Sequence, residues 1–296
     1  TLALAVQRLI NRNKGLLFGD TLRLDGQSLD NTGGTLASRN GLTLALGGDL
    51  DNSAGLIDSE GALSLRANSL ENAAGSISSA AALDIATLGA LRNQNGSIST
   101  DSTLTLASAS LDNRNAGTLS GKGATRVDTG AFDNSQGGRL TSSDRLTLNA
   151  AQVSNRDAGR IASALALNAT VTSLDQQGGQ LFSNTALTLD LNHGLLNNQN
   201  GLINAPGALV LNNLGDVINR QGEISSAQAF TFSAQSLDNS AGKLLSSQAL
   251  AVGIEHALNN TEGTIAAQQL DVSSESMDNG KGLISSRSDL NLVVGA

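Results

Sequence analysis

The sequence predicts an all-β fold, a right-handed parallel β-helix of about 14 coils, with about 20 residues and three short strands in each coil. Two observations predict this fold. A motif recurs at a spacing of 19 to 22 residues along the whole chain, and self-similarity at such a period is typical of solenoids. Within each repeat, apolar residues fall in pairs spaced by two, whereas helical spacing is sustained nowhere.

Each repeat begins with an apolar residue, followed two positions later by Asn, then by Gly-x-(Leu or Ile) and Leu-x-Leu. Because the motif recurs at nearly constant spacing, most of these residues are expected to build the solenoid itself. The fourteen leading apolar residues are Leu9, Leu29, Leu50, Leu70, Leu91, Leu111, Phe132, Val153, Leu174, Leu196, Val217, Leu237, Leu258 and Met277.

One repeat, residues 63 to 79, shows the elements in order. Leu-x-Leu at 63–65, Leu-x-Asn at 70–72 and Gly-x-Ile-x-Ser at 75–79 each place alternate residues on one side, as a β-strand does. Two turns and a bend join these strands into one coil. Stacked coils form three parallel sheets with a spacing of roughly 4.8 Å, so the chain is expected to span on the order of 65 Å. Parallel connections of this kind are right-handed in about 98% of cases.

The Asn of the motif is predicted to be structural. It points inward or into a turn, where Asn tolerates the left-handed conformation and bonds backbone groups, and stacked amides can bond each other as a ladder. A ligand-binding role is the alternative. The exception among the fourteen positions is Gln176; the others are Asn11, Asn31, Asn52, Asn72, Asn93, Asn113, Asn134, Asn155, Asn198, Asn219, Asn239, Asn260 and Asn279.

A glycine follows three or four residues later and is predicted to supply a positive φ at the corner before the third strand. A phosphate-binding loop is disfavoured, because neither a helix pattern nor a partner Lys follows. These corner glycines are Gly15, Gly34, Gly55, Gly75, Gly96, Gly117, Gly138, Gly159, Gly179, Gly201, Gly222, Gly242, Gly263 and Gly282.

Two further polar positions recur. Ser or Thr lies two residues after the Leu or Ile in ten repeats, where it can satisfy the backbone at the next corner; a nucleophile would need a base, and the chain has only His193 and His256. The residue before the Asn is acidic in eight repeats and points outward, as a solvated turn residue or as part of a weak divalent-cation stripe. The sequence predicts no catalytic residue, no cofactor and no metal ligand. The acidic residues are Asp30, Asp51, Glu71, Asp112, Asp133, Asp175, Asp238 and Asp278.

The pattern is least regular from Gln176 to Val217, which includes the insert Asn192-His193-Gly194 and the single proline, Pro206. A loop here could leave the solenoid and contact a partner, so these four residues are a candidate contact region, with His193 as a possible ligand or base. A second irregularity is the repeat in which Thr125 and Val127 replace Leu-x-Leu. Sequence drift in a repeat that tolerates substitution explains it.

Composition limits the function classes. The formal charge is −8 without a Lys/Arg cluster, and Trp and Tyr are absent, which disfavours nucleic-acid binding. No apolar run approaches the roughly 20 residues of a membrane span. No targeting signal is visible, and cysteine is absent, which suits export in an unfolded state. Neither end resembles a polar cap, so residues 1–296 are expected to be a single β-helical segment cut from a longer array at both ends, with flanking repeats of the same polypeptide as partners.

The segment Leu50-Asp51-Asn52-Ser53-Ala54-Gly55-Leu56-Ile57-Asp58-Ser59 resembles the repeats of filamentous haemagglutinin-like exoproteins, which include the surface toxins of contact-dependent growth inhibition. The resemblance covers nearly the whole chain. It implies a right-handed β-helical stalk, exported by two-partner secretion through an outer-membrane transporter of a Gram-negative bacterium to the cell surface. Family members adhere to cells or present a C-terminal toxin; residues 1–296 are expected to contain neither the family's N-terminal secretion domain nor a toxin domain.

Three functional hypotheses follow. The first is a structural stalk that projects a distal binding or toxin domain. The second is a segment that itself binds a receptor or glycan on a neighbouring or host cell, although the lack of Tyr and Trp argues against sugar stacking. The third is a polysaccharide-degrading enzyme, for which the near-constant spacing leaves little room for long loops. A leucine-rich repeat is disfavoured. In that repeat the Asn lies within about three residues of Leu-x-Leu, whereas here Asn52 lies eight residues after Leu44.

Overall fold

The computed structural model describes residues 1 to 295, which form strands joined by turns and bends, with no helix in that range. The chain divides into two compact units, Thr1–Leu146 and the part from Thr147 onward. Each unit carries seven of the motif's leading apolar residues and winds as a parallel β-solenoid. The predicted fold class, a right-handed parallel β-helix of about 14 coils, is confirmed, and the turns lie about 21 residues apart.

The strand bounds follow the repeat. They are Leu2–Ile10 (β1), Leu16–Asp30 (β2), Thr35–Leu46 (β3), Leu50–Asp51 (β4), Leu56–Ser59 (β5), Ala62–Ala67 (β6), Leu70–Glu71 (β7), Ser76–Ser79 (β8), Leu83–Thr87 (β9), Ala90–Arg92 (β10), Ser97–Thr100 (β11), Leu104–Asp112 (β12), Thr118–Gly121 (β13), Thr125–Asp133 (β14), Arg139–Ser142 (β15), Leu146–Ser154 (β16), Arg160–Ser163 (β17), Leu167–Thr170 (β18), Ser173–Asp175 (β19), Gln180–Ser183 (β20), Leu187–Asp190 (β21), Leu196–Asn197 (β22), Leu202–Ala205 (β23), Leu209–Asn212 (β24), Asp216–Ile218 (β25), Glu223–Ser226 (β26), Phe230–Ala234 (β27), Ser236–Asp238 (β28), Lys243–Ser246 (β29), Ala249–Asn259 (β30), Thr264–Ala267 (β31), Gln269–Asp278 (β32), Leu283–Ser286 (β33) and Leu290–Val294 (β34).

In the first unit, each of the three motif segments pairs in parallel with its equivalent one coil away. The Leu-x-Leu ladder aligns Leu65 of β6 with Ile85 of β9, and the Leu-x-Asn ladder aligns β4 with β7. In the third ladder, Ile77 of β8 pairs with Ile98 of β11. Equivalent residues therefore stack in columns, and each column keeps one chemical character from coil to coil.

The second unit repeats this arrangement. Phe230 of β27 aligns with Leu250 of β30 in the Leu-x-Leu ladder. Val217 aligns with Leu237 in the Leu-x-Asn ladder, and the third-strand ladder runs from β17 to β33 through parallel pairs. The residues from 174 to 217, where the spacing is longest, keep this register.

The number of separate strands per coil differs from the prediction of three. In several coils the first and second segments form one continuous strand, as in β12 and β14, and β2 runs through all three segments of its coil. The physical reason is that a gentle bend does not interrupt pairing with the neighbouring coil. The pairs Ser108↔Thr129 and Ser110↔Ala131 continue the β12–β14 ladder across the bend.

The core lies inside each coil and consists of the inward residues of all three ladders. Leucine and isoleucine dominate it, and the largest fully buried side chains are Phe132 and Phe232. Burial of each aliphatic side chain stabilises the fold by roughly 1.5 to 3 kcal/mol. A coil covers only part of this surface by itself, so its stability depends on its neighbours in the stack.

Candidate functional site

The buried asparagines of the first unit form a hydrogen-bonded ladder along the solenoid axis. The Nδ2 of Asn31 donates to Oδ1 of Asn52 at 2.7 Å, and Asn52 donates to Asn72 at the same distance. The ladder extends in the same direction from Asn11 to Asn134, with donor–acceptor distances between 2.7 and 2.8 Å. Each ladder amide is thus satisfied by another amide.

The ladder amides also bind the backbone. The Nδ2 of Asn52 contacts the carbonyl of Gly55 in its own coil at 3.3 Å and the carbonyl of Ser76 in the next coil at 3.2 Å. Asn52 is fully buried, and a buried polar group needs such partners because leaving it unpaired costs about 1 to 3 kcal/mol. The Asn column is therefore occupied by internal hydrogen bonds and faces the interior of the fold.

In the second unit this ladder has one break. Asn155 donates to Oε1 of Gln176 at 3.1 Å. The longer side chain of Gln176 then extends past the next amide, and its Nε2 donates to the carbonyl of Leu202 at 2.8 Å. The Oδ1 of Asn198 consequently has no hydrogen-bond partner although the residue is fully buried. From Asn198 to Asn279 the ladder resumes at 2.7 Å per step.

The prediction that the corner glycines supply a positive φ is wrong. None of the fourteen has a positive φ; that conformation is adopted by the residue immediately before each of them, such as Ala54 (φ 51°) before Gly55. The glycine is needed for space. A Cβ on Gly55 would lie 2.3 Å from the backbone oxygen of Asn31 and 2.6 Å from Oδ1 of Asn52, which are impossible contacts unless the neighbouring coil shifts.

The left-handed residue before each corner glycine has no fixed chemical type. It is Ala74, Asn95, Gln221, Glu262 or Lys281 in different coils, and Gly33, Gly137 or Gly178 in three others. Its side chain points away from the Asn ladder into solvent in most coils. A left-handed conformation costs an L-amino acid roughly 1 to 2 kcal/mol, so the stacked fold imposes this geometry on whichever residue stands there.

The recurrent serines at the end of the third strand bind the backbone. Ser79 Oγ contacts the carbonyl of Gly61 at 2.8 Å, and Ser142 Oγ contacts the carbonyl of Gly123 at 2.9 Å. In the coil with Gly121 at this position, the buried Thr125 Oγ1 has no hydrogen-bond partner. The hydroxyls at the end of the third strand thus form the corner hydrogen bonds. Thr125, in the second irregular repeat, has a buried hydroxyl without a partner.

The outward acidic column forms turn contacts and ion pairs. The Arg12 guanidinium donates to Asp30 and is the main reason that the pKa of Asp30 is lowered to about 2. Burial raises the pKa of Glu71 above its usual value, and its Oε1 has no hydrogen-bond partner. Residues 1 to 295 contain no group of three or more His, Cys, Asp or Glu side chains arranged to hold a metal ion. The cation-stripe alternative therefore receives no support from the geometry.

The insert Asn192-His193-Gly194 lies within the stack. The backbone N–H of His193 donates to the carbonyl of Asn213 in the next coil at 2.6 Å, and Gly194 accepts from Gly215 at 3.0 Å. Asn192 and His193 adopt positive φ values of 49° and 64°. The insert thus widens one turn, and His193 borders an open depression of about 400 Å³.

Pro206 lies at the corner after β23, beside an open groove of about 600 Å³ on the outer face of the third-strand ladder. The structure does not bring Pro206 and His193 into one site, because they line different depressions. The other histidine, His256, is exposed and has its Nδ1 3.5 Å from Oε2 of Glu275. Sequence reasoning missed this groove, since its floor consists of residues at the variable outward positions of each strand.

The groove floor can be followed strand by strand. It is formed by Asn204, Ser225, Leu245, Ala266 and Ser285, which stack in register. Asn204 Nδ2 donates to Ser225 Oγ at 2.9 Å, and Ser225 in turn donates to Glu223 at 2.8 Å. Asn204 and Ser225 of this floor are thus bonded to each other, and the remaining floor residues, Leu245, Ala266 and Ser285, are small or aliphatic.

Comparison with protein families identifies the repeat. The haemagglutinin repeat model matches residues 1–54, 52–95, 89–150, 185–253 and 255–296, which is most of the chain. The chain belongs to the haemagglutinin repeat family. No curated protein and no solved structure matches it. Residues 151 to 184 lie outside the matches and include Gln176, the single departure from the Asn of this chain's repeat motif.

This family assignment confirms the resemblance inferred from the repeat motif. The haemagglutinin repeat is a structural repeat of the adhesin type and is not an enzyme family. Through residue 295, the structure contains no helix with the length and apolarity required to cross a membrane. The prediction of a single segment cut from a longer array stays a prediction.

Proposed function

We propose that this chain is a stalk segment of a secreted bacterial adhesin or toxin-delivery filament, and that it projects a distal binding or toxin domain from the cell surface. The observation that carries the proposal is the parallel pairing of equivalent strands from coil to coil within each unit. Every coil pairs with the next through equivalent strands, as in β5–β8 and β8–β11. Each added coil therefore contributes the same rise of about 4.8 Å, and reach is proportional to coil number.

The polar residues support this proposal, because the most regular of them are used for stacking. The Asn ladder binds coil to coil, the corner serines bind backbone carbonyls, and outward acids such as Asp30 and Asp133 pair with Arg12 and Arg114 of the preceding coil. A spacer requires polar residues that bond within the stack in this repeated way, because it has to provide length and stiffness.

Export is the second part of the proposal. Membership in the haemagglutinin repeat family suggests a secreted extracellular adhesin, and we infer two-partner secretion through an outer-membrane transporter of a Gram-negative bacterium. A chain without cysteine can pass a narrow pore as an extended polypeptide. Nearest-neighbour stability then allows each coil to fold on the one before it.

A deletion series tests the stalk mechanism. Removing residues 50 to 90 joins Asp49 to Leu91 and deletes two coils without changing the motif order. Small-angle X-ray scattering should show a maximum dimension about 10 Å shorter, and duplication of the same residues should lengthen it by about 10 Å. Circular dichroism serves as the control for retained β-structure. An unchanged dimension, or loss of β-structure on deletion, would contradict the proposal.

Direct receptor binding is a second candidate, favoured by the groove along Asn204, Leu245 and Ser285. The purified chain, labelled at an exposed turn, can be titrated onto neighbouring bacterial or host cells. The stalk proposal expects no saturable binding by this segment. Saturable binding that is lost on Leu245→Arg, and kept on the control Thr43→Arg on another face, would favour the receptor-binding alternative.

A further inference from the structure

We propose that the interface between the coil of Gln176 and the coil of Asn198 is a built-in weak point, at which the solenoid of the second unit opens first. The inference goes beyond the proposed function, because the weakness of this interface does not depend on what the chain supports. Two independent features, the interrupted amide ladder and Pro206, fall on this one interface.

The first feature is the interrupted ladder. At the comparable interface within the same unit, Asn219 donates to Asn239 at 2.7 Å. Gln176 instead donates to the carbonyl of Leu202, which leaves Oδ1 of Asn198 buried and unpaired. The interface therefore lacks an amide–amide hydrogen bond, and it also holds a polar atom that gains a partner, water, when the two coils separate.

The second feature is Pro206. In eight other coils, the residue after the third strand donates its N–H to the carbonyl of the last residue of the same strand in the preceding coil. Asn184 donates to Ser163 and Ser247 donates to Ser226, each at 3.1 Å. Proline has no N–H, so the bond from position 206 to the carbonyl of Ser183 cannot form. This missing bond would cross the same interface as the missing amide bond.

The remaining contacts keep the interface closed in the resting state. Leu174 pairs with Leu196, and both are buried. The N–H of Gln176 donates to the carbonyl of Asn197 at 2.7 Å, and Leu202 donates to Gly179 at 3.0 Å. The register is thus normal, and opening requires only that the two coils separate, without any rearrangement of either coil.

The consequence follows from the nearest-neighbour character of solenoids. Stability is approximately a sum of coil terms and interface terms, so the weakest interior interface opens most often. The second unit would then separate reversibly between the coils of Gln176 and Asn198 while the coils on either side stay folded. Under a pulling load, this interface would yield before the interface between Asn219 and Asn239.

Native-state hydrogen exchange on the full chain tests the proposal. The reporter amides are Gln176, Gly178 and Leu202, whose hydrogen bonds cross the weak interface. Their matched references are Asn219, Gln221 and Lys243, which make the equivalent bonds two interfaces further along the second unit. After correction for intrinsic rates, the reporters are expected to exchange about tenfold faster than the references, given the cost of an unpaired buried acceptor. Equal rates would overturn the proposal.

Three variants separate the cause from other sources of local mobility. Gln176→Asn should restore the amide bond and slow the reporter amides by about fivefold to tenfold, and Pro206→Ala should slow them further by restoring the N–H donor. Asn219→Gln places the same interruption in the reference interface and should accelerate the exchange of Asn219 and Gln221. If the reporters stay fast in both repaired variants, the missing hydrogen bonds are not the cause, and the proposal is wrong.

Discussion

Positions 54 and 55 offer a test of why the corner glycine is required. Gly55 has no positive φ, so alanine there is not disfavoured by backbone conformation; a Cβ would instead meet the backbone oxygen of Asn31 at 2.3 Å and Oδ1 of Asn52 at 2.6 Å. The coil must shift to relieve these contacts. Overpacking typically costs about 1 to 3 kcal/mol, and displacement of the buried amide ladder adds roughly 1 to 3 kcal/mol. We expect Gly55→Ala to weaken the interface between these coils by about 2 to 6 kcal/mol in all.

The matched control is Ala54→Gly, at the residue that does adopt the left-handed conformation, with φ of 51°. Relief of that conformation contributes roughly 1 to 2 kcal/mol, and the greater freedom of glycine in the unfolded chain offsets about 0.5 to 1 kcal/mol. The expected net result is a stabilisation of up to about 1.5 kcal/mol. The two adjacent substitutions should therefore act in opposite directions.

The assay must be local, because a repeat solenoid need not unfold in a two-state manner. Hydrogen exchange at the amides of Asn31 and Leu56 reports opening of this interface, since they donate to Asp51 and Gly34 across it. A cost below about 1 kcal/mol for Gly55→Ala, or a destabilisation by Ala54→Gly, would refute the assignment of the spatial constraint to position 55 and the conformational one to position 54.

Three further predictions concern single side chains. Thr125→Val should raise the thermal midpoint, with a gain of about 1 kcal/mol, because it removes a buried hydroxyl without a partner; a lower midpoint would mean that the hydroxyl has an unseen partner. NMR titration should give Asp30 a pKa of about 2. The contribution of Asp30 to stability is therefore full above about pH 4 and is lost as the pH falls toward about 2. Arg12→Gln should raise the pKa of Asp30, and an unaltered pKa would exclude the guanidinium as the cause of the shift. Glu71→Gln should stabilise the chain modestly at pH 7, because burial raises the pKa of Glu71. This gain should disappear below about pH 4.5, where the carboxyl is protonated in the unfolded chain as well. Urea midpoints of the two proteins at the two pH values test the expected difference.

The sequence alone was sufficient for the coil and its three ladders. Period and alternation determine which residues face inward, so Leu65 and Ile77 could be assigned to the core before the structure was known. The continuous strand β12 was not predictable in the same way, because the bend near Ser108 retains its pairing with Thr129 and no residue type marks such a bend.

The polar positions were harder to interpret. For Asn52 the sequence allowed either a left-handed turn residue or a stacked amide; in the structure Asn52 bonds Asn72, and Ala54 takes the left-handed conformation. Sequence shows that position 55 excludes a side chain but does not show whether the reason is φ or space. Likewise, Gln176 was visible as an exception, but the unpaired oxygen of Asn198 depends on where a longer amide finds its acceptor.

The amide ladder of the first unit has a direction, because each Nδ2 from Asn11 to Asn113 donates to the Oδ1 of the following coil. A coil is consequently polar along the stacking axis, with an accepting face and a donating face. If two such stacks met through faces of the same kind, amide oxygen would lie against amide oxygen, or N–H against N–H. Only a head-to-tail arrangement matches the groups, which is a heterologous contact that does not close on itself.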